Sequence, residues 1–292
     1  MSNDLENPPQ FILNPEETAP TQSKSYCFLI SSDFRSPAFS LKEANGNIID
    51  IQESFVPSPT WRTLIFRTIL LIYTIASITM SIISSKQRWI WIGFLTSWSA
   101  IFTLMYQLGA LAYTIKPSLL VQSNSEEQPN VFVRVLWLMY SISTVFELCI
   151  SFFYWTLLYE AGDPISFASV STHGLLAVIL LLDGFAIAAI PMRLQQLPYV
   201  MLTALIYLIW QVIHAFAGIG IRRENNIGAP LYDVLDWNKA PVFAGIVSIC
   251  TIFIMIPVVF FMVWTISMYS PPFTFHGNNR KVKTDTKTEN VI

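Results

Sequence analysis

Six long apolar blocks follow one another along the chain, separated by short polar stretches. They cover roughly residues 63–83, 89–115, 131–158, 168–190, 198–218 and 240–268. Each block meets or exceeds the ~20 residues that a helix needs to cross a bilayer. The pattern predicts an all-α integral membrane protein, a bundle of six transmembrane helices whose connecting loops are too short to fold by themselves.

The ends of the chain differ from this apolar centre. Residues 1–25 contain four prolines and several acids, a composition typical of disorder. We therefore expect a mostly disordered cytoplasmic region over residues 1–60, a transmembrane domain over 61–269 and a basic cytoplasmic tail over 270–292. No apolar stretch precedes the first block, so we expect no cleavable signal peptide.

Lysine and arginine counts predict the orientation, because cytoplasmic loops carry an excess of these residues. One side of the membrane holds the larger group when the basic tail is included, namely Arg62, Arg67, Lys116, Arg134, Arg193 and the tail. The other side holds Lys86, Arg88, Arg222, Arg223 and Lys239. This count places both termini in the cytoplasm.

Composition narrows the function classes. Only 12% of the 292 residues are charged, against about 25% in soluble domains. The net charge of -2 indicates no nucleic-acid partner, and the three cysteines show neither a disulfide framework nor metal-ligand spacing. We expect no metal and no cofactor. A haem held between His173 and His214 is a minor alternative.

Ionisable residues inside the apolar blocks indicate a site within the membrane. The segment STHGLLAVILLLDGFAIAAIPMR carries His173 near one end and Asp183 near its middle. A central Asp costs ~3 kcal/mol on insertion, so such residues face a protein interior and suggest function. Polar residues also recur at helical spacing in other blocks, among them Thr96, Ser99, Thr103, Glu147 and His214. The alternative is that these stripes hold helices together.

Depth brings three of these residues to one level. At 1.5 Å per residue, Thr96, His173 and His214 lie roughly 6–11 Å below the outer boundary of the membrane. A hydroxyl beside an imidazole suggests nucleophilic catalysis, with Thr96 as nucleophile and His173 as base. Asp183 lies ~15 Å along the helix from His173 and cannot contact it directly.

The pocket that these residues predict has further candidate members. We expect Ser99, Thr103, Glu147, Asp183 and His214 to line it, and an amphiphilic lipid ester to enter it from the membrane. Trp237, in the outer segment LYDVLDW, either covers the pocket mouth or anchors the loop at the interface.

Four segments carry a family resemblance. FLTSWS (94–99), the STHGLL segment, YVMLTALIYLIWQVIHAFAG (199–218) and LYDVLDW (231–237) resemble, in order and spacing, the rolling-stone-like branch of the FAR-17a/androgen-induced membrane proteins. The resemblance implies a six-helix protein of the endomembrane system or the plasma membrane. Androgen-induced relatives are threonine hydrolases of fatty acid esters of hydroxy fatty acids, and their Thr and His correspond to Thr96 and His173.

The resemblance also leaves alternatives open. Residues 174–178, GLLAV, lack the Asn that usually follows the His in the rolling-stone branch. That branch is associated with myoblast fusion in insects. The main hypothesis is an intramembrane lipid-ester hydrolase, and its alternative is a non-enzymatic membrane protein in adhesion, fusion or signalling. A transporter that relays protons or ions through Glu147 and Asp183 is a third reading.

Overall fold

Six long helices form the described part of the chain. The structure, a computed structural model, describes residues 33, 38–39, 54–57, 60–85, 88–116, 129–159, 165–219, 221–223 and 226–269. The helices are α1 (Thr60–Ser84), α2 (Leu95–Ile115), α3 (Val131–Leu158), α4 (Phe167–Ile187), α5 (Leu194–Phe216) and α6 (Pro241–Met268). The expected disorder of residues 1–60 lies mostly outside the described residues, and the tail 270–292 lies wholly outside them.

Five of these helices are long and apolar enough to cross a membrane, and α2 is not among them. The six-span prediction is therefore supported by composition for five helices. Helix α2 has 21 residues, enough in length, but it begins at Leu95 because residues 88–93 form a separate 3-10 turn. Its polar side chains lower its hydropathy, and most of them are buried, including Ser99, Thr103 and Gln107.

The interior of the bundle contains many polar side chains beside its apolar core, and its outer surface is apolar. Thr74, Ser77 and Glu147 are almost completely buried, whereas Ile72, Phe216 and Val242 are more than half exposed. A soluble domain buries its apolar side chains in preference to polar ones, so this distribution is that of a protein surrounded by lipid.

Helix α3 lies at the centre and contacts α2, α4, α5 and α6. Its Trp137 and Phe146 are fully buried in one core cluster together with Phe260 and Trp264 of α6. Polar groups connect α3 to the first turn of α5: Ser141 Oγ donates to Gln196 Oε1 at 2.7 Å. These contacts make α3 the helix around which the site is assembled.

Three helices contain π-helical turns, in which an extra residue widens the helix. They lie at Tyr154–Leu158 in α3, Ser171–Leu175 and Leu182–Ile187 in α4, and Thr251–Met255 in α6. Such turns are frequent at functional sites. Both turns of α4 contain a residue that the sequence singles out, His173 in the first and Asp183 in the second.

A short hairpin interrupts the all-α architecture that the sequence predicts. Strands β1 (Ile221–Arg223) and β2 (Asn226–Ala229) pair in antiparallel fashion between α5 and α6. Helix α5 ends at Phe216, and two residues later Gly218 has a φ of 66°, which only glycine adopts freely. Apolar periodicity does not reveal the hairpin because its strands have only three and four residues.

Two buried ion pairs change the orientation argument. Arg67 pairs with Asp183 at 3.0 Å, and Arg193 pairs with Asp33 at 2.8 Å. Neither arginine is a free loop charge, although the lysine and arginine count treats them as such. The excess on that side then comes from the basic tail, and the cytoplasmic placement of both termini stays a prediction.

Candidate functional site

A cavity of about 140 Å³ lies among α2, α3, α4, α5 and α6. Most of its wall is apolar, with Leu95, Phe146, Ile150, Leu208 and Ile252 among the lining residues. Its polar side chains include Thr96, His173, Tyr207, Gln211 and Tyr232. A mostly apolar cavity with a few convergent polar groups is the usual form of a small-molecule site.

Thr96 is the second residue of α2 and lies at the cavity wall. The helix begins after Phe94, whose backbone is extended and whose side chain cannot cap it. Tyr232 takes the capping role, since its hydroxyl oxygen accepts the Leu95 N–H at 3.0 Å. The Thr96 side chain also lies against this hydroxyl. Thr96 is thereby fixed at the positive end of the helix dipole, where developing negative charge is stabilised.

A second group of polar side chains fixes the start of α2 to α5. The Gly93 carbonyl accepts from the Tyr207 hydroxyl and from Gln211 Nε2, each at 3.0 Å. Gln211 Nε2 also donates to the Tyr207 oxygen at 2.5 Å. Burial raises the pKa of the Tyr232 phenol. Its hydroxyl therefore stays protonated at neutral pH and remains able to donate.

His173 is held by stacking on an aromatic ring. It lies in a π-helical turn with non-helical angles (φ −118°, ψ 16°), and its ring stacks on Tyr154 with centroids 3.8 Å apart. The His173 carbonyl accepts from Trp155 Nε1 at 2.8 Å. Its Nδ1 is buried without a hydrogen-bond partner among the described residues. The ring is thus oriented by stacking on Tyr154, whereas many catalytic histidines are oriented by a hydrogen bond to a carboxylate.

The structure places Thr96 and His173 on the wall of the same cavity. The chemical roles that the sequence assigns to them stay predictions. His214 lies at the level of Gly93 but packs on Trp210, with ring centroids 5.5 Å apart, and is not among the residues lining this cavity. His173 and His214 therefore do not face each other across it as two haem ligands would.

The loop before α6 reaches the cavity through residues other than Trp237. Tyr232, Val234 and Leu235 contribute to the wall, whereas Trp237 does not. The structure thus puts a different aromatic residue of LYDVLDW, Tyr232, at the wall. The two alternatives for Trp237, covering the pocket mouth or anchoring the loop at the interface, stay predictions.

The remaining predicted pocket residues are not among those that line the cavity. Ser99, Thr103 and Glu147 cluster between α2 and α3, with both hydroxyls beside the Glu147 carboxyl. Asp183 accepts from Arg67 Nε at 3.0 Å and from the Tyr106 hydroxyl at 2.5 Å. Asp183 is not among the residues that line this cavity, and its charge is neutralised by Arg67 inside the bundle.

Some residues of the site escaped the sequence reasoning. The sequence patterns do not single out Tyr154, Tyr207 or Tyr232. The signal that could have found Tyr207 and Tyr232 is their place in the segments 199–218 and 231–237, which carry the family resemblance. Arg67 was treated as a loop charge although it lies eight residues into a 25-residue helix. An arginine at that depth requires an acidic partner.

The described residues contain no group of three His, Cys, Asp or Glu side chains arranged to hold a metal ion.

Comparison with known proteins defines the family. A family model described as "Protein rolling stone" matches residues 60–276 of this chain. The chain belongs to the rolling stone family.

One curated relative shows how far this similarity extends. The protein rolling stone of Drosophila melanogaster is 28% identical over 125 residues, which is 42% of this chain and 44% of that protein. The match thus spans less than half of the length of the relative. No solved structure matches this chain.

Proposed function

We propose that this member of the rolling stone family is an intramembrane lipid-ester hydrolase. Thr96 is the nucleophile and His173 is the general base. The observation that carries the proposal is that both side chains line one largely apolar cavity between the helices. An apolar wall suits an acyl chain, and the polar end suits the ester that is cleaved.

The reaction proceeds in two steps. The Thr96 hydroxyl oxygen attacks the ester carbonyl carbon while its proton passes to His173. The tetrahedral intermediate collapses, the alcohol leaves with the proton from His173, and an acyl-Thr96 ester remains. Water, deprotonated by His173, then attacks this ester. The proton passes from His173 to the departing Thr96 oxygen, which releases the fatty acid and regenerates both residues.

The surroundings of Thr96 support this chemistry. The oxyanion of the intermediate forms at the amino-terminal end of α2, where the helix dipole is positive. The Tyr232 hydroxyl lies beside the Thr96 side chain and the Leu95 amide. It is placed to donate a hydrogen bond to the developing charge.

The substrate class in this proposal is an amphiphilic ester, such as a fatty acid ester of a hydroxy fatty acid. Its support is the resemblance of the Thr96 and His173 segments to those of the androgen-induced threonine hydrolases. Membrane lipids are the surroundings and the source of such a substrate. In the same proposal α2 is the sixth crossing helix, both termini are cytoplasmic, and the membrane is endomembrane or plasma membrane.

A covalent probe tests the proposal directly. The purified full-length protein is treated with a fluorophosphonate that labels activated hydroxyls, in parallel with a hydrolysis assay on a fatty acid ester of a hydroxy fatty acid. We expect Thr96→Ala and His173→Ala to lose labelling and turnover. Thr79→Ala is the matched control, since the exposed Thr79 only donates to its own helix at Ile75.

The outcome that opposes the hydrolase is labelling that persists in Thr96→Ala. Well-folded wild-type protein that neither labels nor hydrolyses the ester would favour the alternative, a non-enzymatic membrane protein in adhesion, fusion or signalling. Two observations favour that alternative. The family takes its name from a protein whose name states no catalytic activity, and no carboxylate among the described residues bonds His173 Nδ1.

A further inference from the structure

A file of polar side chains runs through the interior between α1, α2 and α3, apart from the cavity. Its members are all nearly or completely buried: Thr74, Ser77, Ser99, Thr103, Gln107, Tyr140, Thr144 and Glu147. None of their terminal oxygen and nitrogen atoms is in hydrogen-bond geometry with a described residue. A buried polar group left unsatisfied costs about 1–3 kcal/mol, so this many in one file require another explanation.

Glu147 is the ionisable group of the file. It is 1% exposed, and both of its carboxyl oxygens are unsatisfied by described residues. The Ser99 and Thr103 hydroxyls lie beside it without direct hydrogen-bond geometry. The two ion pairs found among the described residues, Arg67–Asp183 and Arg193–Asp33, do not include it. Polar groups that are close but not bonded are commonly joined by water.

One end of the file lies next to the cavity. Ser99 follows Thr96 by three residues on α2, so the two side chains lie on adjacent turns of one helix face. Thr96 belongs to the cavity wall. A proton on water near Thr96 is therefore one helical turn from the neighbours of Glu147.

The other end reaches the Arg67–Asp183 pair. Tyr140 packs against Tyr106 with ring centroids 5.2 Å apart, and Tyr106 donates to Asp183 at 2.5 Å. Arg67 Nη1 donates to Thr114 Oγ1 at 2.9 Å, close to the exposed Lys116 that follows α2. Ser99 and Thr114 are 15 residues apart on α2, or about 22 Å at 1.5 Å per residue. That length covers most of the roughly 30 Å hydrocarbon core.

We infer that this file is a hydrated proton pathway between the cavity and the opposite membrane face, with Glu147 as its proton-carrying group. Water bridges the hydroxyl, amide and carboxyl groups of the file. The Glu147 carboxylate accepts a proton from water on the cavity side and returns it to water on the Tyr140 side. No other bond is made or broken. The Arg67–Asp183 pair, which is neutral as a whole, bounds the pathway without trapping the proton.

Proton flux into liposomes tests the inference. Full-length protein is reconstituted with a pH-sensitive dye inside, and a potassium diffusion potential set by valinomycin drives protons inward. We expect wild-type flux above that of protein-free liposomes and a reduction of at least about tenfold in Glu147→Gln, which keeps the shape but cannot carry the proton. Ser143→Ala is the matched control, because Ser143 lies on the same helix but is already bonded to Met139. Its flux is expected to equal that of wild type.

Two results would overturn the pathway: wild-type flux equal to that of empty liposomes, or unchanged flux in Glu147→Gln. If Glu147→Gln does not reconstitute as a monodisperse protein, Thr103→Val takes its place. That variant removes a hydroxyl beside the carboxyl and is expected to lower the flux severalfold, whereas an unchanged flux would contradict the inference. Ester hydrolysis does not enter the flux measurement. A failure of the proton pathway can therefore be distinguished from a failure of the proposed hydrolase activity.

Discussion

The Arg67 guanidinium donates a 3.0 Å hydrogen bond to the Asp183 carboxylate, joining α1 to α4 inside the bundle. Arg67 also reaches the Ala110 carbonyl at 3.2 Å, so the pair connects α2 as well. Removing one member of a buried ion pair leaves the other charge uncompensated, whereas apolar replacement of both is often tolerated. This pair therefore stabilises the arrangement of three helices.

We predict that Asp183→Asn lowers the free energy of unfolding by about 3 kcal/mol, because the Arg67 charge stays buried without its counter-charge. The double variant Arg67→Met, Asp183→Leu is expected to recover much of this loss. Thermal unfolding in detergent, followed by tryptophan fluorescence, of wild type, Arg67→Met, Asp183→Leu and the double variant gives the four corners of a double-mutant cycle. Strictly additive losses would show that the two residues do not stabilise each other.

Gly184 has no room for a side chain. A Cβ at this position would lie 1.7 Å from the Tyr140 hydroxyl and 2.3 Å from its ring. Gly184→Ala is therefore expected to separate α3 from α4 and to destabilise the protein by about 1–3 kcal/mol. Tyr140→Ala in the same chain should relieve the clash.

Gly245→Ala is the control for that steric prediction, since nothing lies within 4 Å of a Cβ there. Its melting temperature should match wild type or rise slightly. Equal melting temperatures for Gly184→Ala and Gly245→Ala would contradict the close approach of Tyr140 to α4.

Asp33 holds a segment that precedes the bundle. Its carboxylate accepts from Arg193 Nη1 at 2.8 Å, from the Leu194 N–H at 2.8 Å and from Trp264 Nε1 at 2.9 Å. Asp33→Ala removes all three bonds and a buried counter-charge, so we expect a loss of about 3–5 kcal/mol.

Limited proteolysis near residue 33 and thermal unfolding measure the effect of Asp33→Ala. Asp236→Ala is a suitable comparison, because the Asp236 carboxylate accepts only from the exposed backbone N–H groups of Asn238 and Lys239 among the described residues. Its expected cost is within about 1 kcal/mol. Equal effects in the two variants would mean that Asp33 has no special anchoring role.

Tyr232→Phe tests whether the hydroxyl at the start of α2 contributes to ester hydrolysis. The change removes the acceptor for the Leu95 N–H and the hydroxyl beside Thr96. Loss of one donor to an oxyanion typically lowers kcat by about 10²–10³. We expect such a loss with KM little changed and the protein still folded.

Tyr199→Phe serves as its control, as Tyr199 is 44% exposed and lies outside the cavity wall. Its kcat should equal that of wild type. A wild-type kcat in Tyr232→Phe would show that the Tyr232 hydroxyl does not contribute to catalysis. The roles of Thr96 and His173 are tested by their own variants.

The apolar blocks located the helices because hydrocarbon imposes a simple length requirement on each one. Periodicity could not reveal that α2 begins at Leu95, since the start depends on Tyr232, 137 residues away, which caps it. Counting by depth put Thr96 and His173 at one level, and the structure has both at one cavity. The same counting put His214 there as well, but depth carries no information on which way a side chain faces around its helix.

The sequence also does not show which charged residues pair with each other in the fold. An isolated acid in an apolar block indicated function, but its partner Arg67 lies 116 residues earlier and only the fold brings them together. Sequence reasoning thus detected the unusual residues and misjudged Asp183, because whether a buried charge is catalytic or structural depends on what stands opposite to it.

The π-helical turn at Ser171–Leu175 makes the site sensitive to chain length as well as to side-chain identity. Such a turn accommodates one residue more than an α-helix. Deleting one residue there would let the turn close to regular α-helical winding, with the parts of α4 on either side keeping their phase. The non-helical backbone of His173 would be lost with the extra residue, and its ring would leave the orientation in which it stacks on Tyr154. A one-codon deletion of its neighbour Gly174 would thus displace the imidazole while Thr96 stays in place.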